Sequence, residues 1–289
     1  MSLKHYLLIL LFLTVLKDLP AQTFLQSGQI GNFSSASSFS LSPAGYFYVS
    51  DAGKNEIIKL DTLGKVIRSI GGYGWTESSF DNPVDVFSNT LSVYVSDKNN
   101  NRIQLFDKDL NFLSQFSTQS SSDNRIKFQY PTGCAVSNQG DLFILDSDNN
   151  RILKYNARGE FQVAIGGYDS GSFSLSAAKQ FVITGTKILV LDSEWLVIFD
   201  QFGTGIKKIK LGFTPVNINT TFGKICITDK SKIVFFDESN LESENFTPII
   251  FTQKIEEEIV DALILNSKLF ILTKDSILIF HSIGLQGKD

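Results

Sequence analysis

Histidine and cysteine are nearly missing from this sequence. Two of each stand in 289 residues, with one methionine and six prolines. His5 lies near the start, so the rest of the chain keeps only His281. A histidine-rich zinc site has no ligands to draw on, and a Ser/His/Asp arrangement would have to recruit that one imidazole. Arginine is scarce too: five of the 26 basic residues, with no basic run and a net charge of −4. That excludes the electrostatic footprint of a nucleic-acid partner. Long apolar runs are also wanting. Residues 6–16 form an apolar stretch of 11, short of the roughly 20 that a spanning helix needs.

That stretch reads instead as part of a targeting segment. Lys4 supplies the positive end and Leu19-Pro20-Ala21 a small-residue processing site. The expectation is a signal peptide over residues 1–21, cleaved after Ala21. Residues 22–289 would then form one exported domain, secreted or periplasmic. No cysteine lies near the cleavage site to carry a lipid. Cys134 and Cys226 sit in apolar strand-like segments two repeat units apart. A disulfide needs Cα atoms within about 7 Å, so two buried free thiols are expected.

What the chain has is sheet-forming residues and a repeat. It holds 25 Phe and 8 Tyr, residues enriched in strands. An apolar strand runs into an aspartate at Asp51, Asp97, Asp146 and Asp192, with spacings of 46, 49 and 46 residues. A fixed period of this size marks a repeat architecture. Aligned on these residues, the units hold strands at 39–41, 46–50, 57–60 and 66–70; at 84–87, 93–96, 103–106 and 112–116; at 134–136, 142–145, 152–155 and 161–165; at 181–183, 188–191, 196–199 and 206–211; and at 216–218, 224–228, 233–236 and 247–251. A sixth unit has strands at 259–265, 269–272 and 277–280 and lacks a fourth. Residues 24–31 form a strand without a unit. The expected fold is therefore all-β: a six-bladed β-propeller of four-stranded blades, whose last blade is closed by the N-terminal strand. Radial blades leave only short, protected edges.

The segments Asp97-Lys98-Asn99-Asn100-Asn101-Arg102-Ile103, Asp146-Ser147-Asp148-Asn149-Asn150-Arg151-Ile152 and Phe128-Gln129-Tyr130-Pro131-Thr132-Gly133 resemble NHL repeats. The resemblance is strong in units two and three, fair in unit one and architectural in the others. It implies a six-bladed propeller but no activity, because NHL propellers serve as protein-, RNA- and ligand-binding platforms and one branch is an enzyme.

The recurrent Asp and Asn residues read as turn chemistry, Asp accepting from loop amides and Asn tolerating left-handed backbone. The same reading makes His281 a turn residue. Counted from each aspartate, the hairpins of units four to six are two residues shorter than those of units one to three. One face would then have a raised and a lowered half. On that face should lie Tyr73, Trp75, Tyr130, Tyr168 and Trp195, with Arg102 and Arg151 nearby. These seven are the candidate binding residues, since loop aromatics on a rigid scaffold are the usual make-up of a binding patch. No catalytic residue, metal ligand or cofactor is assigned. The reading favoured is a non-enzymatic platform for a protein, peptide or glycan partner, without nucleic acid or membrane span, as a monomer or part of an envelope assembly. The alternative is a calcium-dependent hydrolase of the gluconolactonase kind at the channel mouth, where Asn217, Asn219 and Asp261 could gather. In a eukaryotic source, Asn32, Asn219 and Asn245 would head glycosylation sequons.

Overall fold

The computed structural model describes residues 22–241 and 246–283. The expected signal peptide and the sequon at Asn245 lie outside them. The first strand, β1 (Gln22–Ile30), precedes a sheet of β2 (Ala36–Leu41), β3 (Tyr46–Asp51), β4 (Glu56–Asp61) and β5 (Val66–Gly71). Three more four-stranded antiparallel sheets follow. They hold β6 (Pro83–Ser88), β7 (Ser92–Asp97), β8 (Arg102–Asp107) and β9 (Phe112–Phe116); β10 (Pro131–Val136), β11 (Leu142–Asp146), β12 (Arg151–Tyr155) and β13 (Phe161–Ile165); and β14 (Ala178–Thr184), β15 (Lys187–Asp192), β16 (Trp195–Asp200) and β17 (Gly205–Lys210). The rest are β18 (Asn217–Thr221), β19 (Lys224–Thr228), β20 (Ile233–Asp237), β21 (Thr247–Phe251), β22 (Asp261–Leu265), β23 (Lys268–Leu272) and β24 (Ile277–Ile283).

These last seven correct the expected architecture. They do not form two separate four-stranded blades. With β1 they make one eight-stranded sheet, in the order β18-β19-β20-β21-β1-β24-β23-β22. The fold is an all-β propeller of four four-stranded blades plus this larger sheet. The joint is β1 itself. It runs antiparallel to β24, from Thr23 against Ile283 to Ile30 against Ile277. Its first three residues also pair in parallel with β21, Gln22 to Phe24 against Ile249 to Phe251. An unpaired outer edge is a template for another strand, and here the chain fills that edge with its own.

Apolar seams join neighbouring sheets all the way round. Phe47 and Phe39 of the first blade pack on Leu263, Phe270 and Leu272 of the large sheet. Tyr48 and Ile57 pack on Val86, Val93 and Phe106 of the second blade. Similar seams join the second blade to the third, the third to the fourth, and the fourth to β18–β20. Alternating inward-facing aromatic and β-branched residues make this possible, because each blade buries side chains on both faces.

One local expectation also changes. His281 lies within β24, opposite Leu25 on β1 and Lys268 on β23, and is not in a turn. The hairpin loops do split into two lengths. Four residues, 52–55, 98–101 and 147–150, separate the paired ends in the first three units. In the later units two residues do so: Ser193 and Glu194 between paired Asp192 and Trp195, and 230–231 and 274–275 beneath the Asp229 N–H to Lys232 carbonyl bond at 3.0 Å and the Thr273 N–H to Ser276 carbonyl bond at 2.8 Å.

Candidate functional site

One face is built where hairpins meet the connections that enter each sheet. The repeated aspartates do this work. Asp51 accepts from the backbone N–H of Ser34 and Ser35 at 2.8 and 2.9 Å. Asp97 accepts from Asp81 at 2.8 Å, Asp146 from Gln129 at 2.9 Å, and Asp192 from Ser176 and Ala177. The partners are mostly the incoming connection rather than the following loop, although Asp51 also takes Gly53 N–H at 3.1 Å. The loop asparagines reach the other way. Oδ1 of Asn55, Asn101 and Asn150 accepts from the backbone N–H of Asn82, Tyr130 and Ala178, at the entrance to the next blade. All three asparagines have φ near +50°, the left-handed region that Asn tolerates. Each repeat thus clamps its own entrance with Asp and its neighbour's with Asn.

The two candidate arginines differ. Arg102 is buried and uses every donor. Nε donates to Asp97 at 2.8 Å, Nη1 to the Trp75 carbonyl and to Gln115 Oε1, and Nη2 to the carbonyls of Thr76 and Ser79. Arg151 repeats the pairing with Asp146 at 2.9 Å, and its Nη2 reaches the Lys127 carbonyl at 2.8 Å and the Asn124 carbonyl at 3.4 Å. Its Nη1 finds no acceptor among the described residues. Both arginines stitch loops, and one of them has donors to spare.

The aromatics are placed unevenly. Tyr73 and Trp75, on the β5–β6 connection, are exposed, Trp75 at 73 %. Tyr168, on the β13–β14 connection, is fully open, and Tyr130 is exposed with φ +47°. Trp195 begins β16, half-buried against the seam between the third and fourth blades, with the Lys208 and Lys210 ammonium groups about 6 Å from its ring. Trp195 is therefore more a cover than a protrusion.

The inner strands enclose a second candidate, which the sequence reading reached only in part. A cavity of about 90 Å3 lies on the axis, lined by residues of β2, β6, β10, β14, β18 and β22. Ser38, Asp85, Gly133 and Gln180 each follow a bulge in their strand, while Asn217 and Asp261 open β18 and β22. Asp85 accepts from Ser38 Oγ at 2.9 Å, Cys134 N–H at 2.9 Å and Gln180 Nε2 at 3.1 Å. Gly133 permits the last of these, since a Cβ there would lie 2.3 Å from Gln180 Oε1. In the same cavity Asp261 accepts from Asn219 Nδ2 at 2.8 Å, and Asn219 also donates to the Phe39 carbonyl. Burial drives Asp261 up to about 8 and Asp85 up to about 6, and the Asp85 carboxyl adds to the rise of Asp261. Asn217, Asn219 and Asp261 do gather in the channel, but Asp85 and Gln180 were missed. Their signal was the register position after the bulge, visible only once the inner strands are aligned. Asn219 has no room for a glycan there. Among the described residues no group of three or more His, Cys, Asp or Glu side chains converges as for a metal.

The fold and this axial arrangement define a β-propeller. Residues 128–155 match the NHL repeat. The chain is 29 % identical over 144 residues to Protein brain tumor of Drosophila melanogaster, a match covering 48 % of this chain and 13 % of that protein. The chain thus spans a small fraction of that relative. Among solved structures, virginiamycin B lyase from Staphylococcus aureus superposes with a TM-score of 0.60 at 12 % identity, over 89 % of this chain and 99 % of that one. A streptogramin B lyase gives 0.61 at 11 % identity, over 90 % and 98 %. These two likenesses are of fold. No helix among the described residues is long and apolar enough to cross a membrane.

Proposed function

We propose that this chain is an exported, non-enzymatic platform that binds a protein or peptide partner through its hairpin-and-connection face. The observation that carries this reading is Trp75. Its main-chain carbonyl anchors Arg102 at 2.7 Å, while its indole is left in solvent. A large ring held on a rigid backbone and unused by the fold is what an interface anchor needs. Tyr73 and Tyr168 stand on equivalent connections in the same condition. NHL propellers are commonly protein-binding, which supports the same class of role.

The channel supports catalysis less well. The groups facing Asp85 and Asp261 are donors, namely Ser38 Oγ, Gln180 Nε2 and Asn219 Nδ2. Such donors satisfy carboxyls directly, whereas a calcium site gathers oxygens. The lyase names belong to structures alike in fold only, and His281 sits on β24, two strands out in its sheet from the channel strand β22. Affinity capture with the wild type, Trp75→Ala and Trp195→Ala tests the platform. Partner recovery should fall at least tenfold with Trp75→Ala and less with the half-buried Trp195→Ala. Undiminished recovery with both variants would overturn the face.

A further inference from the structure

The third blade differs from the second in one functional detail. Arg102 and Arg151 are repeat-equivalent, each following its loop and pairing with the aspartate five residues back. In the second blade, Nη1 is filled by a peptide carbonyl and by Gln115 Oε1. Gln115 sits opposite Gln104 on β8, and the matching position opposite Leu153 on β12 is Ala164. The alanine removes the oxygen and the bulk together. What opens is a groove of about 630 Å3, lined by Arg151, Arg125, Tyr168, Asp169 and residues 161–164 of β13. Arg151 is correspondingly more open, its side chain 17 % exposed against 6 % for Arg102.

Four successive residues of β13 line this groove although their side chains alternate between faces. That places it along the free edge of the strand, which is the outermost of its sheet. The molecule already shows what such an edge accepts. The corresponding outer strand β21 takes residues Gln22 to Phe24 as an added parallel strand. Charge narrows the occupant. The Arg151 guanidinium is neutralised by buried Asp146, Arg125 by Asp123, and Asp169 stands exposed on the wall. The groove therefore holds no excess positive charge for a phosphate or carboxylate, and its one uncompensated group is an acid. In the second blade the same two donor places are filled by neutral oxygens.

Resting on the platform reading, we propose that this groove takes an extended, neutral or basic peptide segment of a protein partner as a strand added to β13. A peptide carbonyl or an Asn/Gln side-chain oxygen accepts from Arg151 Nη1, the place that Gln115 fills in the second blade. A residue of the peptide covers Tyr168, and a Lys, Arg or amino terminus of it meets Asp169. Strand addition draws affinity from main-chain hydrogen bonds and specificity from such side-chain contacts.

Ala164→Gln tests this by giving the third blade the second blade's internal acceptor. Short random peptides displayed on phage are selected against the wild type, and the enriched peptides are synthesised and measured by calorimetry. The expected peptides are neutral or basic, bind Ala164→Gln at least tenfold more weakly than the wild type, and do so with the melting temperature of the variant kept. Tyr168→Ala, a fully exposed change, should weaken the same peptides and serves if Ala164→Gln does not fold. No enrichment, acidic consensus peptides, or equal affinity for wild type and both variants would each overturn the proposal. If any of these occurs while Trp75→Ala still abolishes partner recovery, the groove falls and the platform stands.

Discussion

Asp85 and Asp261 are carboxyls that the fold keeps away from cations and surrounds with hydroxyl, amide and backbone donors. Burial raises both, to about 6 and about 8, from an ordinary value near 3.8. A raised carboxyl holds its proton more tightly in the folded than in the unfolded chain. Between about pH 4 and 8 the folded state therefore binds more protons, and stability must fall as pH rises through that window. Each tenfold change in proton affinity is worth about 1.4 kcal/mol. The exposed acids Asp109 and Asp123 are held down to about 2 by Lys108 and Arg125, so they act below this window. Melting temperatures measured by circular dichroism should decline from pH 5 to 8.5 in the wild type. Asp261→Asn should flatten that decline, and a wild type that gains stability over this range would contradict the assignment. At this scale the sequence showed the clamps, because Asp and Asn recur at fixed places. It did not show the axial acids, because Ser38, Asp85, Gly133, Gln180, Asn217 and Asp261 share a position without one residue type recurring through all of them.

Among the strands, β1 carries the most consequence for its length. Its Phe24 is fully buried with Ile249, Ile264, Leu269 and Phe280, and so fastens β21 and β24 from one side chain. Phe24→Ala should cost about 3–5 kcal/mol, the range for emptying a buried aromatic site. Leu25→Ala, next along and half exposed, should cost much less. Urea denaturation of the two variants checks both, and equal losses would mean that β1 is held by its backbone alone. The strand itself was readable, since residues 24–31 alternate and lack partners in their own unit. Its second pairing, with β21, was not readable. Edge pairing is made by main-chain groups, which every residue carries, so no pattern of side chains announces it. That pairing is what merges the expected last two blades into one sheet.

For the whole molecule, the apolar seams make opening cooperative. Cys134 and Cys226 lie in different seams, both buried and free. Burial pushes both thiols well above their ordinary range, with nearby Asp85 and Asp261 adding to it. A thiol-reactive chromophore should therefore label neither cysteine in the native protein, and both together as the protein unfolds in denaturant. Labelling of one before the other would show that its seam opens independently. Sequence by itself determined the strand content, the repeat, the clamp residues and the poverty of catalytic side chains, because periodicity and composition are local properties of the chain. Only the tertiary structure decided how the strands share edges, which arginine keeps unused donors, and that two buried acids line one axial cavity. Those depend on distances between residues that the chain separates by tens or hundreds of positions, and packing alone brings them together.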